Sequence, residues 1–421
     1  MNMWSRAALQ PPVTNHAAGE PEVILDLSRL LSRVLHATPT GVDRVEMAYA
    51  RELLARIPDH IRFAAVHPLG LYGRLPTPLV QDFLDETEQL WSGSATAGGK
   101  MARRMRSARR LLALRPRRLP RAAGGTSRVY LQASPHHLAR PDLVARILRR
   151  ERARFVCLVH DLIPIEFPEY ARPGGDATHR RRMDTLGLHA DALIANSEAT
   201  KTALERYLAP SGRVPPIVTA LLGTHVQRAE APPPPTDIPY FVCVSTIEPR
   251  KNHILLLQMW RRLAEELKPG EVLPKLVLIG RRGWENENVI DMLERSPLLQ
   301  EHVIEANSLP DSHAADLVRG ARALLLPSFA EGYGMPVAEA LEMHVPVICS
   351  DLPALREVGR DVPEYLDPLH GPAWISAVRH YSAPDSARRQ LQLKRMRSWR
   401  TPQWRDHLSL VLDCCRAVAA A

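Results

Sequence analysis

Two glutamates, separated by seven residues, lie in the stretch LLLPSFAEGYGMPVAEALEMHVPVICSD, which covers residues 324–351. Glu331 begins a loop that contains E-G-Y-G, and Glu339 lies about one turn into the helix that this stretch predicts. The two carboxylates therefore do not lie side by side on one helical face. Residues so placed can contact the opposite ends of an elongated ligand that is rich in hydroxyl groups.

The glycines between the two acids, Gly332 and Gly334, lie just before a predicted helix N-terminus. Pro336 supports this placement, because a proline in the first turn of a helix loses no hydrogen bond. Free amides and the helix dipole favour an anion there by up to ~2 kcal/mol, and glycine lets the backbone approach it closely. A sugar joined through a diphosphate to a nucleoside has hydroxyl groups at both ends and an anionic middle, so it fits this arrangement.

Two cations in EPRKN, Arg250 and Lys251, follow a predicted strand and precede the predicted helix NHILLLQMWRRLAEEL. Their charges would offset a diphosphate, and more strongly so as negative charge develops on a leaving phosphate. The alternative is a solvated pair of basic side chains at a helix start. That alternative is disfavoured because cations at a helix N-terminus oppose the helix dipole.

Apolar runs of strand length alternate with helical patterns along most of the chain. The first half contains EVILDLS, RFAAVH, RVYLQAS, RFVCLVHD and DALIANSE, and the second half contains YFVCVST, KLVLIG, HVIEA, ALLLPS and PVICSD. This alternation predicts an α/β protein with two doubly wound, Rossmann-like parallel-sheet domains. Ligands of such domains bind at the carboxyl ends of the strands, so we expect a central cleft that both domains face.

The four successive prolines of EAPPPPTDIP mark the boundary between the two domains, because such a run favours an extended connector. We expect a disordered N-terminus over residues 1–20, a first domain over 21–230, a proline-rich linker over 231–239 and a second domain over 240–400. Residues 401–421 predict a final amphipathic helix, which we expect to pack back on the first domain.

The segment KMARRMRSARRLLALRPRRLPR, an insertion in the first domain at residues 100–121, carries ten basic residues and no acidic one. Three interpretations are open: a solvated or disordered loop, a surface that attaches to anionic lipid, and a nucleic-acid-binding arm. Each cation near an anionic membrane adds about 1 kcal/mol, and such attachment would serve a lipid-linked acceptor. Nucleic acid ranks last, because the segment has no interleaved aromatic residues and the chain shows no RNA- or DNA-binding module.

The composition is that of an ordinary globular protein, with 421 residues of which 45% are hydrophobic and 24% charged, so two domains are expected. The formal net charge of +9 favours an anionic partner. The five cysteines include no C-x-x-C pair, so we expect neither a zinc site nor a disulfide framework. The N-terminus lacks a signal-peptide core and no apolar run is long enough to span a bilayer. We therefore expect a cytoplasmic protein, which its basic segment could hold at the inner face of the membrane.

The stretch around Glu331 and Glu339 resembles the E-x7-E motif of the group 1 glycosyltransferases, the large retaining family called glycosyltransferase family 4. The continuation PVICSDLPALREVGRD and the blocks FVCVSTIEPRKNHILLLQMW, KLVLIGRRGW, HDLIPIEFPEY and NSEATKTAL are also similar to that family, in the family's order. The resemblance extends from Val23 to Leu412. Within the family, the chain looks most like a subgroup that contains mannosyltransferases that build surface polysaccharides. The resemblance implies the GT-B fold, in which two Rossmann-like domains face a central cleft and the second holds most of the donor.

The resemblance also implies roles for residues by their position. Glu331 would contact hydroxyl groups of the donor sugar, Glu339 would bind the ribose hydroxyls, and Lys251 would bind phosphate. The residues implied as catalytic are Glu331, His160, Lys251 and Arg250. Those implied to bind the donor are Glu339, Gly332, Tyr333, Gly334 and Ser245. Those implied to line the acceptor or phosphate loop are Gly41, Arg44 and Asp161.

Four of these residues belong to the first domain. His160 ends the strand RFVCLVHD, so it should point into the cleft, where it matches a family histidine near the donor sugar; a histidine satisfied by the backbone is the alternative. Asp161 would orient His160 or cap the loop. Gly41, in TPTGVDRVE, resembles the family's glycine loop, and Arg44 is a candidate contact for an anion. An ordinary turn glycine and a surface arginine fit the sequence equally well.

Two positions depart from the family pattern. Many members carry an arginine where this chain has Ser245, six positions before Lys251, and we expect Arg250 to replace it. His344 stands where the family has glycine in ALExGxPV, near the end of the helix. Glycine there suits a left-handed helix cap, which histidine tolerates better than most residues, so we interpret His344 as structural.

These expectations describe a retaining, metal-independent hexosyltransferase that uses a nucleoside diphosphate sugar and no cofactor. Mannose from GDP-mannose is the first assumption for the donor, and a glycan or lipid-linked saccharide in surface polysaccharide synthesis is the expected acceptor. No D-x-D triad is present, so the metal-chelating aspartates of the other major glycosyltransferase fold are missing. A nucleotide-sugar epimerase of the same fold and a non-catalytic binding protein remain as alternatives. A nicotinamide dehydrogenase is disfavoured, because no G-x-G-x-x-G follows the first strand.

Overall fold

The computed structural model describes residues 20–34, 36, 38–67, 70–92, 109, 111–115, 127–226, 238–307 and 309–421. The predictions made for the N-terminus over residues 1–20, for the basic insertion over 100–121 and for the linker over 231–239 lie wholly or mostly outside these residues.

The first sheet has seven strands in the order β3-β2-β1-β4-β5-β6-β7. Every neighbouring pair is parallel except β2 and β3. Its central strands are buried on both faces, as in a sheet that helices cover from both sides. The strands are Glu22–Asp26 (β1), Ile61–Val66 (β2), Tyr72–Leu75 (β3), Arg128–Gln132 (β4), Arg154–Val159 (β5), Ala192–Ala195 (β6) and Ile217–Thr219 (β7).

Helices follow most of these strands and return the chain to the start of the next one. The long helices carry an apolar stripe that faces the sheet, for example Val45, Tyr49 and Leu53, which are fully buried. The helices described in this part of the chain are Ser28–Ser32 (α1), Gly41–Arg56 (α2), Thr77–Ser92 (α3), Pro141–Glu151 (α4), Ile163–Glu166 (α5), Gly175–His189 (α6) and Glu198–Leu208 (α7).

The second sheet has six strands, all parallel, in the order β10-β9-β8-β11-β12-β13. Its strands are Tyr240–Val244 (β8), Lys275–Ile279 (β9), Val303–Ala306 (β10), Leu324–Leu326 (β11), Val347–Ser350 (β12) and Glu364–Leu366 (β13). The helices described here are His253–Glu265 (α8), Glu287–Arg295 (α9), Pro297–His302 (α10), Asp311–Arg319 (α11), Met335–Glu342 (α12), Pro353–Gly359 (α13), Gly371–Ser382 (α14), Ala387–Met396 (α15) and Trp404–Ala420 (α16).

Both sheets are doubly wound, as the alternation of strands and helices predicts. The order of the strands reverses between β1 and β4 in the first sheet and between β8 and β11 in the second. Helices on either side of such a switch point leave a crevice at the carboxyl ends of the two strands. The loops that begin at Ser245 and Pro327 follow β8 and β11, so the predicted cations and acids of the second domain are brought to one crevice.

The final helix, α16, lies on the first domain, against α2 and the strands β4, β5 and β6. His407 fixes it there, because Nε2 lies 2.7 Å from Tyr49 Oη and Nδ1 lies 3.1 Å from the Ala220 carbonyl oxygen. Gly223 packs so closely that a Cβ there would lie 2.2 Å from the Trp404 amide nitrogen. The helix therefore ties the end of the second domain to the first.

The sequence pattern does not predict three short strands, β3, β7 and β13. They have four, three and three residues, and each is the edge strand of its sheet. An edge strand is paired on one side and is often very short, so it does not repeat an apolar pattern long enough to recognise. The strands predicted from apolar runs are confirmed, including the edge strand β10 and the three-residue interior strand β11.

The described part of the basic insertion is attached to the first domain. Leu114 is 1% exposed within the core, and the Leu111 carbonyl oxygen lies 3.1 Å from His67 Nε2. Leu111 and Leu114 therefore pack into the first domain. Whether the arginines around them bind lipid stays a prediction.

All five cysteines are buried and free, as the apolar strand runs around Cys157, Cys243 and Cys349 predict. In the part of the chain that the structure describes, no helix combines the length and apolar character needed to cross a bilayer.

Candidate active site

Glu331 is the centre of an ion-pair cluster at the carboxyl ends of β8 and β11. Its Oε1 accepts hydrogen bonds from Lys251 Nζ at 2.5 Å and from Ser328 Oγ at 2.7 Å, and its Oε2 accepts one from Arg250 Nη1 at 2.9 Å. Arg250 also donates to Glu248 Oε1 at 2.8 Å. Lys251 is 8% exposed and Glu248 6%. Two cations and two carboxylates thus balance each other in a site that is almost closed to water.

The charges in this cluster are fixed. Burial by itself would raise the pKa of Glu331, but Lys251 and Arg250 stabilise the carboxylate and lower the pKa to about 2. Burial would lower the pKa of Arg250, but Glu331 and Glu248 hold it above its ordinary value. Each carboxylate oxygen has about two acceptor positions. Those of Glu331 Oε1 are used, so Oε2 keeps one for a hydroxyl group of a ligand.

The glycine turn follows Glu331 and leads into α12. Gly334 has φ +102°, and a Cβ there would lie 2.3 Å from Leu355 Cδ2, so only glycine fits the backbone and the packing. Among the described residues, the amides of Gly332, Tyr333 and Gly334 find no hydrogen-bond partner. These free N–H groups precede the eight-residue helix α12, as the sequence predicts for a site that binds an anion.

The same turn contacts the first domain. A Cβ on Gly332 would lie 2.2 Å from the His160 carbonyl oxygen and 2.8 Å from Asp161 Cβ. The Gly332 carbonyl oxygen accepts a hydrogen bond from Ser197 Oγ at 2.8 Å. Tyr333 points its ring into the interior and donates from Oη to the Leu222 carbonyl oxygen at 2.5 Å. Its backbone amide, not its phenol, is therefore the group available to a ligand.

His160 lies across the domain interface from Glu331. Its Nε2 is 2.8 Å from the Ala133 carbonyl oxygen, which matches the interpretation of a histidine satisfied by the backbone and leaves Nδ1 for another partner. Burial lowers its pKa, although the Ala133 carbonyl and Asp161 act in the opposite direction. The ring is therefore neutral near pH 7. Asp161 accepts from the Ile163 amide at 3.1 Å and so caps the loop, which is one of the roles expected of it.

Glu339 lines a different part of the interface, a cavity of about 710 Å³ between α2 and α3 of the first domain and α11 and α12 of the second. The cavity wall is largely apolar and includes Met335, Met343 and Trp404. Burial raises the pKa of Glu339 to about 7; Arg44 lowers it in part and Asp311 raises it further. Glu339 is thus placed to accept hydroxyl groups once it is ionised.

Arg44 and Asp311 form a two-pronged ion pair across the cavity. Nη1 and Nη2 of Arg44 donate to the two carboxylate oxygens of Asp311 at 2.6 and 2.7 Å. Arg44 is therefore near an acidic site but is already paired. Gly41, one turn earlier on α2, would bring a Cβ within 3.3 Å of Met335 Sδ, so it lies against the start of α12.

The two departures from the family pattern are placed as follows. Ser245 Oγ lies 3.2 Å from His253 Nε2 and does not contact Glu331. Arg250 contacts Glu331, and its replacement of the missing arginine stays a prediction. His344 has φ +59°, the left-handed conformation expected at the position of a family glycine.

The predicted residues thus form two neighbouring groups along α12. One group contains Glu331, Lys251, Arg250, the glycine turn and, from the first domain, His160 and Asp161. The other contains Glu339, Arg44 and Gly41. Both groups lie on the interface between the domains, although Glu331 and Lys251 do not line the cavity that Glu339 borders.

Sequence reasoning missed several members of the site. Glu248 contacts Arg250, and Ser328 contacts Glu331. Both lie in the loops after β8 and β11, and that position is the sequence signal that could have identified them. Tyr170 stacks on Phe329 across the interface, with ring centroids 5.7 Å apart. That contact joins residues that are distant in sequence, so no local sequence pattern predicts it. In the part of the chain that the structure describes, no group of three His, Cys, Asp or Glu side chains is arranged to hold a metal ion.

Comparison with known proteins agrees with the architecture and the motifs. Residues 227–362 match the family described as glycosyl transferases group 1. The match confirms the resemblance to that family for the part of the chain that carries the Glu331 cluster. The fold, with two parallel-sheet domains facing each other, is GT-B. It is shared with the sucrose-phosphate synthase of Thermosynechococcus elongatus, which is 17% identical and covers 95% of this chain and 99% of its own, with a TM-score of 0.61.

The curated relatives of this chain include several mannosyltransferases. Serotype-specific mannosyltransferase WbdA of Escherichia coli is 28% identical over 240 residues, which are 52% of this chain and 29% of WbdA. O-antigen chain mannosyltransferase B of the same species is 30% identical over 260 residues, 59% of this chain and 65% of that protein. The chain therefore spans under a third of the length of WbdA. HepE of Anabaena, solved in complex with UDP-glucose, has the same fold at 13% identity, covering 95% of this chain and 99% of HepE, with a TM-score of 0.57.

Proposed function

We propose that this chain is a retaining glycosyltransferase that moves a hexose from a nucleoside diphosphate sugar to a glycan or lipid-linked saccharide acceptor. The observation that carries the proposal is the Glu331 cluster beside the partner-free amides of the glycine turn, facing His160 across the domain interface. Cations, amides and a hydroxyl acceptor are the groups that a sugar diphosphate requires, and they meet at the carboxyl ends of β8 and β11.

In this proposal the donor lies along α12. Its diphosphate lies by the free amides and the cations Arg250 and Lys251, its ribose by Glu339, and its sugar by Glu331 and His160. The free acceptor position on Glu331 Oε2 takes a sugar hydroxyl. The apolar cavity of about 710 Å³ beyond Glu339 gives room for the nucleoside. The sugar and the diphosphate of the donor therefore contact the first group of predicted residues, and the ribose contacts the second.

The transfer proceeds on one face of the sugar. The bond between the anomeric carbon and the phosphate oxygen breaks, and the nucleoside diphosphate leaves with the electron pair. The acceptor hydroxyl oxygen bonds to the same carbon, and its proton passes to the departing phosphate oxygen. Lys251, Arg250 and the amides stabilise the negative charge that develops there, so the proposal needs no metal ion. Glu331 is not assigned as a nucleophile, because its carboxylate is held by three hydrogen bonds.

Mannose is the proposed sugar and GDP-mannose the proposed donor, supported by the mannosyltransferase relatives. The structural neighbour HepE was solved with UDP-glucose, so a uridine donor is the alternative for the base. Synthesis of a surface polysaccharide from the cytoplasmic face of the membrane is the proposed setting.

A thermal-shift screen tests the donor first. Nucleoside diphosphates and nucleoside diphosphate sugars would be added to the folded chain at equal concentration. The ligand that binds most tightly raises the unfolding temperature most. Transfer from the selected donor to saccharide acceptors would then be followed by proton NMR, which reports the anomeric configuration of the product.

Three outcomes would count against the proposal. Inversion of the anomeric centre would remove the retaining mechanism. Conversion of the donor with no acceptor would identify an epimerase, and tight binding with neither reaction would identify a non-catalytic binding protein.

A further inference from the structure

The block NSEATKTAL, at the start of α7, carries two hydroxyl groups that lie against the glycine turn. Ser197 is the N-cap of this helix, and its Oγ accepts a hydrogen bond from the Thr200 amide at 3.0 Å. The same Oγ has one proton to donate, and the Gly332 carbonyl oxygen at 2.8 Å is a nearer acceptor than Thr200 Oγ1 at 3.0 Å. Ser197 is fully buried, so this hydroxyl group links the first domain to the turn at a position closed to solvent.

The start of α7 is itself held against the second domain. Glu357 on α13 accepts hydrogen bonds from the amides of Glu198 at 2.6 Å and Ala199 at 2.9 Å. The first amides of a helix have no partner within it, and a carboxylate there also interacts favourably with the helix dipole. Thr200 Oγ1 adds a second hydroxyl group, 3.3 Å from the Gly332 carbonyl oxygen. Ser197 is therefore fixed in its position relative to the glycine turn.

The Gly332 carbonyl and the Tyr333 N–H belong to one peptide unit. This unit is trans, and the C=O and the N–H of a planar trans unit point in opposite directions. The hydrogen bond that directs the carbonyl toward Ser197 therefore directs the N–H away from α7. Among the described residues, the Tyr333 N–H has no hydrogen-bond partner, so it is available to a ligand on that side of the turn.

This peptide unit depends on an external hydrogen bond for its orientation. Glycine has no Cβ, so the backbone at Gly332 rotates where that of other residues is restricted. Tyr333 Oη donates to the Leu222 carbonyl oxygen, but that contact holds the ring and not the plane of the preceding peptide. A donor on the carbonyl also polarises the peptide and strengthens its N–H as a donor. Ser197 therefore both orients and strengthens the Tyr333 N–H.

We propose that Ser197 is a positioning residue of the donor site: it holds the peptide between Gly332 and Tyr333 so that the Tyr333 N–H donates to a phosphate oxygen of the donor. This inference rests on the proposed function for the identity of the bound anion. Ser197 does not touch the phosphate and acts through the peptide that does. The first domain thereby takes part in binding the diphosphate, although the groups that contact the diphosphate belong to the second domain.

The test compares ligands that carry a diphosphate with one that does not. Calorimetric titration of the full chain would measure the affinity for inorganic pyrophosphate and for the nucleoside diphosphate that the thermal-shift screen selects. Competition would measure the affinity for the matching nucleoside. We expect S197A to bind both diphosphates about tenfold more weakly than the wild type, because an oriented, charge-assisted hydrogen bond is lost. Its affinity for the nucleoside should equal that of the wild type, because that part of the donor lies beyond Glu339 and away from the turn.

Two further variants separate the orientation of the turn from the capping of α7. Glycine is an accepted N-cap residue, so S197G keeps the helix but loses the hydroxyl group, and it should weaken diphosphate binding as S197A does. S211A is the matched control just beyond the other end of α7, where Ser211 Oγ donates to the Leu208 carbonyl oxygen at 2.7 Å. It should bind all three ligands as the wild type does, and thermal unfolding would show that each variant is folded.

Two results in the variants would overturn the inference. S197A and S197G could bind the diphosphates as tightly as the wild type does, and sugar transfer by the wild type would then leave the proposed function standing. Alternatively, both variants could lose affinity for the nucleoside and the diphosphates in the same proportion, as a general loss of structure would cause. If the chain transfers no sugar but pyrophosphate affinity depends on Ser197, the positioning role stands and the transferase proposal fails. Binding of neither diphosphate by the wild type would overturn both.

Discussion

Lys251 Nζ lies 2.5 Å from Glu331 Oε1, although 80 positions separate the two residues in the chain. The pair joins the loop after β8 to the loop after β11, and it therefore spans the switch point of the second sheet. Each side chain compensates the charge of the other at a buried position, so replacement of one leaves the other charge buried and unpaired. The pair joins two loops of the fold and also belongs to the proposed donor-binding site.

Replacing Lys251 by alanine, or Glu331 by alanine, should lower transfer by about 10²–10³-fold, because each variant loses a group that stabilises charge or holds the sugar during the reaction. The rate of transfer would be measured together with thermal unfolding, so that loss of fold and loss of function are separated. K275A is the matched control, because Lys275 begins β9 at the end of the sheet away from the Glu331 cluster, and its Nζ donates to the Glu301 carbonyl oxygen at 2.6 Å. Normal turnover by a folded K251A/E331A double variant would refute the site.

Glu339 should make donor binding depend on pH. Its pKa of about 7 lies above the ordinary value of 4.5, so the carboxylate that accepts ribose hydroxyls is mostly protonated at pH 6 and mostly ionised at pH 8. We expect the affinity for the nucleoside diphosphate to rise by up to about tenfold over this range, since one pKa unit corresponds to about 1.4 kcal/mol. Calorimetric titration at several pH values measures it.

The variant E339Q should bind more weakly and lose the rise between pH 6 and 8. E342Q, an exposed change on the same helix, should keep that rise. An unaltered pH profile in E339Q would show that another group is responsible.

Alanine at Gly332 should separate donor binding from transfer. The added Cβ would lie 2.2 Å from the His160 carbonyl oxygen, so either the turn or the first domain must move. Because the donor is held mainly by the second domain in our proposal, the rate of transfer should fall by more than the affinity for the nucleoside diphosphate, by about tenfold or more. Both quantities would be measured on the same preparation.

The control for Gly332 is G371A, because a Cβ at Gly371 meets Leu255 Cδ1 at an ordinary 3.5 Å. Equal losses of affinity and rate in G332A would argue that the glycine serves the donor alone and not the contact between domains.

Glu46 should make the stability of the protein depend on pH. It is fully buried on α2, where the Leu30 amide donates to Oε1 at 3.0 Å, while Oε2 has no partner among the described residues. Burial, aided by Asp26, raises its pKa from 4.5 to about 8. The native state keeps the proton that the unfolded chain loses, so the stabilisation is complete below pH 4.5 and is lost as the pH rises through 8.

The variant E46Q should remove this dependence. The difference in free energy of unfolding between wild type and E46Q, measured with urea at pH 5 and at pH 9, should shift in favour of E46Q at the higher pH. E52Q changes a partly exposed acid on the same helix that is paired with Arg56, and its difference from the wild type should stay nearly constant. A constant difference for E46Q as well would show that Glu46 ionises normally.

Much of the fold could be predicted from the sequence, because local patterns of residue types indicate its strands and helices. Apolar runs of strand length alternate with helical segments, and Pro336 and the glycine pair mark the start of α12. These signals depend on neighbours within a few residues, so they survive without tertiary information. The short edge strands β3, β7 and β13 were not predicted, since three or four residues carry little pattern, although the run HVIEA did predict the four-residue edge strand β10.

The sequence by itself determined which side chains are candidates for the chemistry. Glu331, Arg250 and Lys251 lie in loops that follow strands of the second domain, Glu339 lies about one turn into a helix there, and His160 ends a strand of the first domain. Only the tertiary structure decided how they are paired. It joined Glu331 to Lys251 and Arg44 to Asp311, and it placed Gly332 against His160. Such contacts connect residues far apart in the chain, and their energies depend on distance and burial in three dimensions, which no local pattern of residue types contains.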